Sequence, residues 1–257
     1  MAFIVLIPFA VSADHPLLLV HGFFTRSFGT GMCWDDANET KLASWAGIQS
    51  NLVQTGEYSN GGIINMDRLE CPRASTKPPV YRFTYYKTCY EEKNAIEEYT
   101  KRLSEAIDFA KNCSQTRKVD LVAHSLGGII ARNYLEEGGD KSVNKVVFVA
   151  TPHEGISFFP MIIGMPACIL GKLSPFCPAE INEINSNSEI MKRLKSHKKL
   201  SVKAYTIKSS SDILIPREGP DSIESELSFS VDCNHDDIFR PRYCPKGYEA
   251  VVESLKS

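Results

Sequence analysis

The sequence predicts an α/β fold: a mostly parallel central sheet with helices on both faces. Three observations carry this. Short runs of β-branched and apolar residues alternate with longer stretches whose apolar residues recur at helical spacing. Those short runs, at 16–20, 79–86, 119–123, 143–150 and 202–207, are largely apolar rather than strictly alternating, as strands covered on both faces are. The chain has 257 residues, 43% of them hydrophobic, enough for one sizeable core.

From the start of the chain, residues 2–11 form an apolar run followed by Ser12-Ala13. Cleavage there would leave Asp14 first, so residues 1–13 are expected to be a signal peptide or its remnant. A first β-strand is the alternative reading. The run is too short to span a bilayer, and no transmembrane segment is expected. Eight cysteines, an even number, point to an oxidising, extracellular compartment. The sequons Asn38-Glu39-Thr40 and Asn112-Cys113-Ser114 agree. Residues 14–257 read as a single domain, with no internal repeat or low-complexity tract. A net charge of −2 gives no reason to expect a nucleic-acid partner. The Lys195 to Lys199 cluster reads as a solvated helix end.

The strand at 16–20 runs into His21-Gly22-Phe23-Phe24. Residues 41–53 carry Leu42, Trp45, Ile48, Leu52 and Val53 on one helical face. Residues 58–79 are rich in Gly, Asn, Ser and Pro and read as a loop. A strand at 79–86 precedes a long helix at 91–112, with Ile96, Tyr99, Leu103, Ala106, Ile107 and Ala110 on one side. The strand at 119–123 meets a helix that starts at Leu126, with Ile129, Ile130, Tyr134 and Leu135 at helical spacing. After the strand at 143–150 comes Thr151-Pro152-His153-Glu154-Gly155. The region 155–200 reads as an insertion: an apolar first part broken by Pro and Gly, then a helix at 179–195.

Ser125 lies between the 119–123 strand and its following helix, with small residues at Ala123 and Gly127. That is the layout of a nucleophile elbow, in which a sharp turn lifts the serine hydroxyl above the sheet edge. A strand ending in His21-Gly22 supplies the second half of an oxyanion hole. The N–H groups of Phe23 and Leu126 would point at one developing negative charge.

Together, His21-Gly22-Phe23, Ala123-His124-Ser125-Leu126-Gly127-Gly128 and Val149-Ala150-Thr151-Pro152-His153-Glu154-Gly155 resemble the α/β-hydrolase lipases. The nearest group is the class 2 triacylglycerol lipase/esterase group, and the resemblance covers most of the chain after residue 15. It implies an α/β-hydrolase fold in which Ala123 replaces the usual first glycine of the elbow, as in some bacterial lipases. It also implies ester hydrolysis with no cofactor.

In this fold the triad follows in the order Ser, Asp or Glu, His. Of the histidines after Ser125, His153 belongs to the Thr-Pro-His element and His197 sits among lysines. His235 lies in a C-terminal loop, where the base is expected. Asp212, just past the strand at 202–207, is the expected acid; Glu218 and Asp221 are rivals. Asp236 and Asp237 could tune the base or bind calcium, but one carboxylate pair falls short of the oxygens calcium prefers, so no metal is expected. Phe24 and His124 beside the nucleophile, with Phe158, Phe159 and Ile162, are expected to line the substrate site, and 155–173 to form a lid or acyl-binding wall.

The cysteines follow from sheet geometry. Cys89 and Cys113 flank one helix and are too far apart to pair. Cys33 and Cys89 belong at the carboxyl edge of the sheet, Cys71 and Cys113 at the other. This favours Cys33–Cys89 and Cys71–Cys113, with Cys33–Cys71 left open. Cys168–Cys177 and Cys233–Cys244 are close in sequence.

These features suit a secreted serine hydrolase acting on carboxylic esters, with a lipid or other ester as substrate and a lipid–water interface as a possible place of work. An acyltransferase or thioesterase using the same triad, or a non-catalytic hydrolase-like binding protein, is the alternative.

Overall fold

A computed structural model describes residues 13–23, 37–64, 69–86, 94–156, 179–212, 215 and 222–257. Among the described residues, seven parallel strands form one sheet in the order β2-β3-β1-β4-β5-β6-β7. They are β1 (Leu17–Val20), β2 (Ser59–Ile64), β3 (Pro79–Phe83), β4 (Val119–His124), β5 (Val143–Val149), β6 (Lys203–Ser209) and β7 (Leu227–Val231). β1 lies between β3 and β4, with Val20 level with Phe83 on one side and Ala123 on the other.

β1 and β4 are buried throughout, which fits their uninterrupted apolar character. Alternate residues feed two cores. Leu18 and Val20 join one made with α2 (Ala95–Ser114) and α3 (Leu126–Glu136). Leu17 and Leu19 join the other, made with α1 (Ala37–Gln54) and α6 (Pro245–Lys256).

Two expectations need correction. The loop expected at 58–79 contains β2. Its Ser-Asn-Gly-Gly start hides the strand, and such a sequence is tolerated because β2 is the sheet edge and pairs only with β3. The single helix expected at 179–195 is two, α4 (Ala179–Glu183) and α5 (Glu189–Ser196). Local polar bonds favour the break over a continuous helix. The Ile156 N–H donates to the Ile184 carbonyl at 2.9 Å, Asn185 Oδ1 accepts from the Asn187 N–H, and Ser188 caps α5 by accepting from the Met191 N–H. β7 and α6 also complete the fold without having been expected from the sequence.

The described part of residues 155–200 is bound to the core. Ile184, Met191 and Leu194 are buried. The fully buried Arg132 of α3 donates to the carbonyls of His153, Leu194 and His197, and pairs with Glu136 at 3.1 Å. Glu183 accepts from the N–H groups of Ala95 and Ile96 at the start of α2, where orphan amides and the helix dipole favour a carboxylate. Cys71–Cys113 and Cys233–Cys244 are bonded, with Cα separations of 5.4 and 6.1 Å. Cys33, Cys89, Cys168 and Cys177 lie outside the described residues, as do residues 1–12.

Candidate active site

The order of the strands reverses around β1, and it is outside the carboxyl ends of strands at such a switch, here β1 and β4, that open α/β sheets place their ligands. His21 and Phe23 follow β1, and Ser125 follows β4.

Ser125 occupies the turn itself, with φ 53° and ψ −122°. A positive φ is unfavourable for a residue with a Cβ, and here it persists because the surroundings impose it. The Ser125 N–H donates to the Val149 carbonyl at 2.9 Å, and its own carbonyl accepts from Gly128 at 2.9 Å. α3 must then start hard against β1 and the 151 loop. A Cβ at Gly127 would overlap the His21 carbonyl, and one at Gly128 would overlap the Thr151 side chain. Ala123, where a glycine is usual, is fully buried with its methyl in the core shared with α2 and α3.

Asp212, His235 and Ser125 come from the ends of three different strands and meet at hydrogen-bond distance. His235 Nδ1 lies 2.6 Å from Asp212 Oδ2, and His235 Nε2 lies 2.9 Å from Ser125 Oγ. The side chains of Asp212 and His235 are 3% and 11% exposed, so the pair is largely shielded from water. Asp212 Oδ1 also accepts from the Ile215 N–H at 3.1 Å, which ties the acid to its own turn.

The acid and base loops are laced together. Ser209 Oγ donates to the Cys233 carbonyl, and Ser211 Oγ to Asp232. Below His235, Asn234 and Asp237 brace the loop: Asn234 Nδ2 donates to Asp237 Oδ2 at 2.7 Å, and the Asp237 N–H returns a bond to Asn234 Oδ1 at 2.8 Å. Arg240 pairs with Asp237 at 3.0 Å. Asp237 thus serves as a loop brace. No group of three or more His, Cys, Asp or Glu among the described residues could hold a metal ion.

Leu126 follows Ser125 directly, and Phe23 follows the end of β1, the strand next to β4. The loop that carries Phe23 is fixed from behind. Tyr85 Oη donates to the Gly22 carbonyl at 2.9 Å, and the His21 ring stacks on Tyr85 at 4.1 Å.

His124 is buried beneath the His235 loop instead of lining an open surface, which sets it apart from the substrate contacts expected of it. His153 is fully buried against Phe148, and burial followed by the Arg132 charge holds its ring well below the usual histidine range. His197 is exposed. Phe24, Phe158, Phe159 and Ile162 lie outside the described residues, as do Glu218 and Asp221.

Two buried polar groups went unnoticed in the sequence. Glu180 is fully buried near Tyr86 Oη, and burial pushes its carboxyl up to about 7. Arg132 did leave a signal, because it falls three residues after Ile129 on the helix face that should be apolar.

The model of the alpha/beta hydrolase fold family matches residues 15–164. The chain belongs to that family. No curated protein matches it. Among solved structures, this alpha/beta hydrolase is similar to a monoacylglycerol lipase from Paleococcus ferrophilus, at 16% identity and TM-score 0.56 over 96% of each chain. It is also similar to an esterase (EaEST) from Exiguobacterium antarcticum, at 15% identity and TM-score 0.53 over 96% of this chain and 94% of that one. A bromoperoxidase from Bacillus anthracis is similar to the same degree, at 15% and 0.55 over 95% and 93%. At such identities the likeness is one of fold. A function for this alpha/beta hydrolase has to be argued from its own side chains.

Proposed function

We propose that the chain is a serine hydrolase that cleaves carboxylic esters. The observation that carries this reading is the continuous Asp212–His235–Ser125 relay at the carboxyl edge of the sheet. A serine hydroxyl is a weak nucleophile until a base takes its proton. The Asp212 carboxylate accepts from His235 Nδ1–H, which leaves Nε2 with a lone pair aimed at Ser125 Oγ. Oγ attacks the acyl carbonyl carbon as its proton passes to Nε2. Negative charge moves to the carbonyl oxygen, where the Phe23 and Leu126 amides receive it. The imidazolium then protonates the departing alkoxide, leaving an acyl-serine. Water, deprotonated by the same Nε2, attacks that ester and releases the acid. The sequence needs no cofactor.

A lipid ester is the favoured substrate, on the grounds of the apolar run at 156–170 and the motif resemblance to class 2 triacylglycerol lipases. Placement of 155–173 as lid or acyl wall belongs to the same proposal, as does single-domain organisation over 14–257. Secretion is supported by the two disulfides, which persist in oxidising compartments. No helix among the described residues is long and apolar enough to cross a membrane.

Hydrolysis of p-nitrophenyl esters of graded chain length tests the reading. The protein should turn over several of them, with kcat/KM rising towards longer acyl groups. Absence of turnover on the whole series would overturn ester hydrolysis, and a preference for acetate would overturn the lipid assignment.

A further inference from the structure

His124 ends β4 and immediately precedes Ser125, yet its ring points to neither solvent nor nucleophile. Its Nε2 lies 2.9 Å from the backbone carbonyl oxygen of His235. A carbonyl only accepts, so Nε2 carries the proton and donates. The ring is boxed by the His235 ring at 4.8 Å, by Phe239 at 4.7 Å and by the edge of Trp45 at 6.4 Å. Trp45 in turn stacks on Phe239 at 4.3 Å, which fixes the box from α1. The Gly22 backbone closes the side near Nδ1.

We infer that His124 is a positioning residue for the general base: its Nε2–H holds the backbone of His235 so that the imidazole meets Ser125 Oγ. The inference rests on the proposed role of His235. That imidazole is already held at both ring nitrogens, by Asp212 and by Ser125. Neither contact fixes the height of the loop that carries it. The bond from His124 does, because it grips the main chain of the residue itself from the strand that delivers the nucleophile. Nucleophile and base are thereby referenced to one rigid element.

The ring also has to stay neutral, since a second cation here would oppose the imidazolium formed during turnover. The titratable and charged groups that face it are His235, His21 and Arg240, none of them acidic, and burial adds to their effect. Its proton affinity is accordingly held well below the usual histidine range, by burial first and by His235 next.

The test compares His124→Gln, His124→Asn and His124→Phe on a p-nitrophenyl ester, with kcat expressed per fluorophosphonate-titratable site and thermal unfolding measured in parallel. A glutamine amide can reach the place of Nε2; an asparagine is too short, and a phenylalanine fills the box without a donor. A base displaced by about 1 Å costs on the order of 10²-fold. The Asn and Phe variants should therefore lose ~10–100-fold in kcat with KM nearly unchanged, and Gln should recover most of the loss. The inference falls if the Phe variant folds and keeps the parental kcat per site, or if Gln falls as far as Asn. Should Phe fail to fold, the Gln–Asn comparison decides. His235→Ala run alongside separates the two readings. If it keeps activity, the base assignment fails and takes the inference with it. If it is inactive while the His124 series is flat, only the positioning role is lost.

Discussion

Removing the Cys233–Cys244 bond, as Cys233→Ala with Cys244→Ala, should damage catalysis out of proportion to its effect on stability. The bond closes a loop of separation 11 that contains His235 and ends at the first turn of α6. The loop-entropy relation gives about 3 kcal/mol for that separation, and about 4 kcal/mol for the 42-residue separation of Cys71–Cys113. By stability alone, Cys71–Cys113 is the more costly bond to lose. Its position is different: Cys113 ends α2 ahead of β4, and Cys71 precedes β3, so both lie at the edge of the sheet away from Ser125. The two double variants should therefore dissociate. Loss of Cys233–Cys244 should lower Tm by roughly 6–12 °C and kcat by ~10-fold or more, since the loop must keep Nε2 within hydrogen-bond reach of Oγ. Loss of Cys71–Cys113 should lower Tm at least as far and leave kcat of the folded protein within about twofold. Urea unfolding and p-nitrophenyl ester kinetics at 25 °C read both quantities. Equal losses of kcat in the two variants, or an unchanged kcat without Cys233–Cys244, would refute the reasoning.

Asp212→Asn should keep the fold and lower kcat by on the order of 10⁴, because an amide cannot hold the productive tautomer of His235; near-parental activity in that variant would remove Asp212 from the triad. Arg132→Met should cost about 3 kcal/mol or more in urea unfolding, since the buried carbonyls of His153 and Leu194, the His197 carbonyl and Glu136 lose their partner at once; a loss under 1 kcal/mol would contradict the clamp drawn between α3 and α5. His124 and His153 are held neutral, with proton affinity below that of the unfolded chain, so each contributes stability that is present above about pH 6.5 and lost as pH falls below it. Glu180 acts with the opposite sign. Its folded carboxyl is raised to about 7 from 4.5, so it keeps a proton that the unfolded chain releases, and it lowers stability as pH rises across that window. Glu180→Gln should therefore gain on the parent by up to ~1.4 kcal/mol per pH unit between those two values and by a constant amount above them; a difference independent of pH would show that Glu180 is not protonated in the fold.

Much of the site was legible because it depends on order and spacing. A buried strand, a serine between small residues and a helix with period 3.6 are local signals, and they placed Ser125 at the end of β4. Once the parallel sheet was inferred, Asp212 fell just past a strand end on the same edge, whereas His235 was picked out by the chain order of the triad and its C-terminal loop, since β7, the strand that delivers it, was not expected. The pairing of Cys71 with Cys113 was favoured by the same edges, and that of Cys233 with Cys244 by closeness in sequence. What escaped had weak local signals. β2 starts with Ser-Asn-Gly-Gly, and edge position, a tertiary fact, makes it a strand. The break between α4 and α5 depends on a backbone bond with Ile156, far away in sequence. The contact of His124 was invisible because its partner is a main-chain carbonyl, which leaves no side-chain signature in any sequence. Glu180 stands in the first turn of α4, where a carboxylate is unremarkable; only the packing of α4 buries it.

The most direct test of the account is covalent labelling by a fluorophosphonate followed by peptide mapping. Such probes phosphonylate a serine only where a base activates its hydroxyl and an oxyanion site receives the new negative charge. The account predicts stoichiometric modification at Ser125, abolished in Ser125→Ala and slowed by several orders of magnitude in His235→Ala with the fold intact. A folded protein that resists the probe, or one labelled at another serine, would contradict it.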